Sequence, residues 1–190
     1  MGNTALIWAA CDGHVDCIEA LLRRAATGGD RGVVDARNAH GSSALTYAAM
    51  GGNTAIVEAL LDAGANTELR DECGGRTALM DSARRGFLGC AQALLRAGAD
   101  IEARDNAGYT ALMDAAAEGQ VALVEALLLV GAKRGVLNEA DLTALQCAAE
   151  EEVDNAHSSM RPELRVERRR RRAECARLLR DAESAAELSK

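Results

Sequence analysis

The chain has 190 residues, 48% hydrophobic but only 2% aromatic, with one proline and a formal net charge of −7. The apolar fraction excludes wholesale disorder, and the scarcity of aromatic residues argues against a β-sandwich or barrel. Length and composition leave one domain, or at most two small ones, built by packing helix on helix.

In chain order, the first predicted helix follows Gly2-Asn3-Thr4-Ala5-Leu6, and that opening returns four times. The later copies are Gly41-Ser42-Ser43-Ala44-Leu45, Gly75-Arg76-Thr77-Ala78-Leu79, Gly108-Tyr109-Thr110-Ala111-Leu112 and Asp141-Leu142-Thr143-Ala144-Leu145. Successive starts lie 39, 34, 33 and 33 residues apart. Thr4, Ser43, Thr77, Thr110 and Thr143 stand where a helix begins and can cap its free amides. A small pair follows in each copy, from Ala9-Ala10 to Ala148-Ala149, and lets a neighbouring helix approach closely. In the first four copies Gly13, Gly52, Gly86 and Gly119 then end the helix. A second helix carries apolar residues at three- and four-residue steps, as in Val121, Val124, Leu127 and Leu128. Gly64-Ala65-Asn66 and Gly98-Ala99-Asp100 close two of the units. Neither helix can bury its apolar stripe alone, so the units must stack.

This frame resembles the ankyrin repeat family over roughly residues 2–155, although the family's Thr-Pro-Leu-His lacks its proline and histidine here. The resemblance implies an all-α solenoid of stacked helix-turn-helix repeats with short hairpin loops, over 2–40, 41–74, 75–107, 108–140 and a partial 141–157. The first repeat is stretched by Ala25 to Gly32, read as a flexible loop. No polar capping unit precedes it, so either a piece is missing before Met1 or this repeat is poorly capped. The fifth repeat runs into Glu150-Glu151-Glu152, and Val153 to Arg161 reads as a loop. In the last part, an Arg-rich linker and capping helix over 158–190, Pro162 opens a helix whose Cys175, Leu178, Leu179, Ala182 and Ala186 cover the end of the core.

Signatures of chemistry are missing. No GxSxG, HExxH, GxxxxGK[ST] or GxGxxG occurs, and His14, His40 and His157 lack ligand spacing. Cys17, Cys90 and Cys175 are expected in the core, with Cys11, Cys73 and Cys147 in more exposed slots and no base beside them. Asp81 and Asp114 fill one slot in adjacent repeats. Such a carboxylate pair could serve acid–base chemistry, but an open groove offers no burial to shift a pKa. Asp81 is expected to pair with Arg84 and Arg85 on its own helix, and Arg85 with Glu118 across repeats.

What the resemblance implies instead is a non-catalytic protein-interaction module, an adaptor or scaffold without cofactor or metal, using its inner concave face and hairpin tips. Three of the four aromatic residues fall in slots facing that side in the family. Trp8 and Tyr47 share a slot with Asp81, Asp114 and Cys147, while Tyr109 shares a tip slot with Arg76. Trp, Tyr and Arg commonly anchor interfaces, so the expected contact residues are Trp8, Tyr47, Arg76, Asp81, Arg84, Arg85, Tyr109, Asp114 and Glu118. Residues 1–160 hold 12 basic against 23 acidic side chains, and 161–190 hold 10 against 6. The acidic body speaks against nucleic acid or membrane as partner. The run Arg168 to Arg172 leaves open a nuclear or nucleic-acid-associated role, and the abrupt start leaves open a regulatory fragment of a larger enzyme. A cytoplasmic monomer is expected, with the nucleus as the other compartment.

Overall fold

The computed structural model describes residues 2–28, 31–149 and 162–188. Gly29-Asp30, Glu150 to Glu152, the predicted loop from Val153 to Arg161, His157 and the side chain of Ala186 lie outside the described residues.

Five first helices form one row: α1 (Ala5–Cys11), α3 (Ala44–Gly51), α5 (Ala78–Arg85), α7 (Ala111–Glu118) and α9 (Ala144–Ala149). The second helices α2 (Val15–Gly28), α4 (Thr54–Asp62), α6 (Leu88–Arg96), α8 (Val121–Leu129) and α10 (Pro162–Leu188) form the other. Each helix packs on its partner and on its counterparts in the adjacent repeats. Among the described residues there is no strand, and the repeats join through turns.

The local signals act as the sequence implies. The hydroxyls of Thr4, Ser43, Thr77, Thr110 and Thr143 each accept the amide three residues on, which satisfies one free donor per helix. Gly52, Gly86 and Gly119 end their helices in the left-handed conformation. At Gly119 the need is double: φ is +71°, and a Cβ would lie 3.1 Å from Arg171 Cβ and from Arg172 N of α10. The fifth repeat opens with Asp141 rather than glycine and still takes φ +58°, a conformation aspartate tolerates better than most residues.

One core runs through the stack. Ile56, Leu60, Leu79, Leu94, Leu112, Leu123 and Leu127 are buried within it, between the small faces of Ala48, Ala83 and Ala115. Burying each large side chain is worth about 1.5–3 kcal/mol. α10 closes one end with Cys175, Ala176 and Leu179 buried, and Leu178 and Ala182 half-buried.

Three expectations are corrected. Ala25 to Gly28 continue α2 rather than forming a loop, because no breaker precedes Gly28; a short 3-10 turn follows at Arg31–Val33. Cys17 is exposed, because none of the described helices packs over its slot. Cys147 is buried, because α10 packs on α9.

Candidate functional site at the first-helix row and the repeat tips

The turns into α3, α5, α7 and α9 are each folded by one side chain. Asn38 Oδ1 accepts the amides of His40 and Ser42 at 2.9 and 3.1 Å, and Asp71 Oδ1 those of Gly74 and Gly75 at 2.7 and 3.0 Å. Asp105 Oδ1 takes Ala107 and Tyr109 at 2.9 and 2.8 Å, and Asn138 Oδ1 takes Ala140 and Leu142, both at 2.9 Å. Such side chains mimic a backbone turn.

The arginine before three of these residues ties one tip to the next. Arg37 donates to Gly41 O at 2.7 Å and to Arg70 O at 2.7 Å. Arg70 donates to Gly75 O and Arg104 O, and Arg104 to Gly108 O and Leu137 O. An acidic ladder runs beside it: Asp35, Glu68 and Glu102 accept the amides of Asn66, Asp100 and Lys133 in the following repeats at 2.9, 2.9 and 2.7 Å. Sequence reasoning missed both ladders. The signal was there, in Arg37-Asn38, Arg70-Asp71 and Arg104-Asp105 at the repeat period.

Arg76, Asp81 and Asp114, expected as contact residues, are joined to one another and to Asp105. Arg76 Nε donates to Asp81 Oδ1 at 3.0 Å, Nη1 to Asp105 Oδ2 at 3.1 Å, and Nη2 to Asp114 Oδ2 at 2.7 Å. The guanidinium is 13% exposed and the three carboxylates 9–10%. The tip of the third repeat is thereby clamped to the fourth, with three acids around one cation. Asp81 thus pairs with Arg76 rather than with Arg84 or Arg85. Burial opposes the charge on Arg76, but the Asp114 and Asp81 carboxylates outweigh it and hold the guanidinium above its ordinary range. Burial also raises Asp81 against the pull of Arg76, and pushes Asp114 up to about 6. The expectation that this groove could not shift a carboxyl is therefore corrected: the packed tips exclude water from it. Asp81 Oδ2 is buried without a hydrogen-bond partner.

The same slots between the first two repeats hold an uncharged version. Asn38 Nδ2 donates to Asn3 Oδ1 at 2.9 Å and to Tyr47 Oη at 3.1 Å, so Tyr47 is half-buried. Tyr109 is half-buried at its tip. Trp8, one slot before Tyr47 in the stack, is 56% exposed.

Further along the row Arg84 and Arg85 are exposed. Arg84, rather than Arg85, faces Glu118, with Nε 3.9 Å from Oε1, a contact of little energetic weight at that exposure. Glu118 Oε2 also accepts Arg168 Nη2 of α10 at 2.9 Å. Arg172 is buried and donates to Cys147 O and Ala148 O at 3.0 and 3.3 Å, satisfying the open carbonyls that end α9. Two arginines of the Arg168–Arg172 run therefore dock the capping helix.

Among the described residues no group of three or more His, Cys, Asp or Glu is placed to hold a metal ion. Nor is any helix long and apolar enough to cross a membrane. In a comparison with protein-family models, ankyrin repeats (3 copies) match residues 1–71, 27–105 and 66–136. No curated protein matches the chain.

Proposed function

Because the chain belongs to the ankyrin-repeat family, whose repeats generally serve protein–protein interaction, we propose that it is a non-catalytic adaptor or scaffold binding a protein partner through its first-helix row and repeat tips. One observation carries this reading. Slots that build the frame are alike and buried from repeat to repeat, whereas the outward slots at the helix ends differ: Cys11 and Asp12, Met50 and Gly51, Arg84 and Arg85, Ala117 and Glu118. A frame that repeats while its outer positions vary specifies a scaffold and leaves the ligand to the variable positions.

Trp8, Arg84, Arg85 and Glu118 are the direct contacts on this reading, with Tyr47 and Tyr109 half-buried behind them. Arg76, Asp81 and Asp114 hold the tips in place and set the local potential. The potential runs from the cations Arg84 and Arg85 to Glu118, so the partner is of mixed charge. The three exposed thiols Cys11, Cys17 and Cys73 suit a reducing compartment, the cytoplasm or the nucleus.

Affinity capture with the intact chain beside an Arg84→Glu, Arg85→Glu chain tests the surface, with Glu125→Ala on the second-helix row as control. A partner lost from the double variant but kept by the control is the expected result. Equal capture by all three chains would place the interface elsewhere.

A further inference from the structure

The turns into α3, α5, α7 and α9 are joined in series by one backbone bond each. Glu72 N donates to His40 O at 2.9 Å, Asn106 N to Gly74 O at 2.8 Å and Glu139 N to Ala107 O at 3.0 Å. The arginine ladder runs beside all three joints. Among the described residues, only the middle joint is also spanned by an arginine held among buried carboxylates. Arg76, on the turn into α5, reaches Asp81 of α5, Asp105 of the turn into α7, and Asp114 of α7.

That cluster is unbalanced. Three acids surround one guanidinium, so with every acid ionised two negative charges stand uncompensated in a place only 9–13% exposed. Charge without a partner in a dry site is costly. The donors are also too few: Asp114 Oδ1 lies 3.5 Å from Nη1, which Asp105 already holds at 3.1 Å, and Asp81 Oδ2 receives none. A proton on one carboxyl removes one of these charges. Burial accordingly raises both Asp81 and Asp114, the latter to about 6.

The surrounding groups do not restore the balance. Asp71 opposes ionisation of Asp81 and Arg85 favours it, and Asp105 and Arg84 act in the same two ways on Asp114. Both of those arginines are exposed, where water screens them. On the helices packed alongside, the same slot holds Tyr47 of α3 and Cys147 of α9, neither of them a cation. α6 and α8 carry one charged side chain each, Arg96 and Glu125, both exposed. On α10, Arg168 bonds Glu118, and Arg172 bonds the carbonyls that end α9.

We propose that the middle joint is operated by a proton: it is firmest while one carboxyl of the Arg76 cluster is protonated, and loss of that proton loosens the turn into α5 from the turn into α7. The direction follows from linkage. Opening hydrates the carboxylates and returns them towards their ordinary values, so rising pH favours the open form. The joint lies within the row assigned to a protein partner, but it stands without that assignment.

Backbone amide exchange of the intact chain tests this, read residue by residue by NMR between about pH 5 and 7 and corrected for intrinsic rates. Protection of the Asn106 amide should fall by about tenfold over that range, and the amides of Glu72 and Glu139 should not share the fall. In an Asp114→Asn chain, neutral at that position at every pH, Asn106 should stay as protected at pH 7 as at pH 5. Carbon NMR of the Asp114 carboxyl in the wild-type chain needs no variant, and its midpoint should lie near 6. Four results would each overturn the proposal: Asn106 protection that is flat or rises with pH, an equal fall at all three amides, a fall that persists in Asp114→Asn, or an Asp114 carboxyl that titrates near its ordinary 3.8.

Discussion

Asp114 is a side chain whose titration is strongly shifted by the packing of the tips. Its ordinary value of 3.8 is pushed up to about 6 by burial, against the attraction of Arg76. Asp81 moves the same way. The sign of the linkage follows. A carboxyl raised on folding contributes its full share of stability below its unfolded value, and that share is lost as pH rises through the folded value. Wild-type stability relative to Asp114→Asn should therefore fall between about pH 4 and 7, by about 3 kcal/mol at most. Urea unfolding of both chains across that range measures it, and a flat difference would show that Arg76 alone keeps Asp114 ionised. The charge types were legible in the sequence. Their meeting was not, because Arg76 reaches 38 residues along the chain to Asp114.

At the scale of the helix, most boundaries were written locally. Threonine or serine before Ala-Leu starts every first helix, and a glycine ends three of them. α10 is different, since only tertiary packing shows what it covers: Arg172 satisfies the end of α9, and its backbone passes over Gly119. Gly119→Ala should therefore cost clearly more than Gly64→Ala. Both positions have positive φ, worth about 1–2 kcal/mol with a side chain, but a Cβ at Gly64 meets nothing within 4 Å. Thermal melts of the two variants give the comparison, and limited proteolysis of the Gly119 variant should cut first in α10. Equal melting temperatures would mean that α10 does not bear on Gly119.

At the scale of the whole molecule, protection should follow how many helices pack on each element. α4 and α6 each pack on two other second helices, and α2 on one. Amides of α2 should exchange with solvent faster than those of α4 and α6, measured by hydrogen–deuterium exchange. Equal protection would mean that a single neighbouring second helix is enough. The Arg37, Arg70 and Arg104 ladder adds to this packing, since it links the tips in series as far as Leu137.

Sequence alone was enough for the repeat, its period, its capped helix starts and the start of a helix at Pro162. Each of these depends on residues within a few positions of one another, or on a pattern that recurs. Three things needed the folded chain: the cage around Arg76, the burial of Cys147 against the exposure of Cys17, and the docking of Arg168 and Arg172. Each depends on which repeat lies alongside and on whether any repeat does. The identity of a residue does not carry that information, because stacking brings together side chains that lie a repeat or more apart.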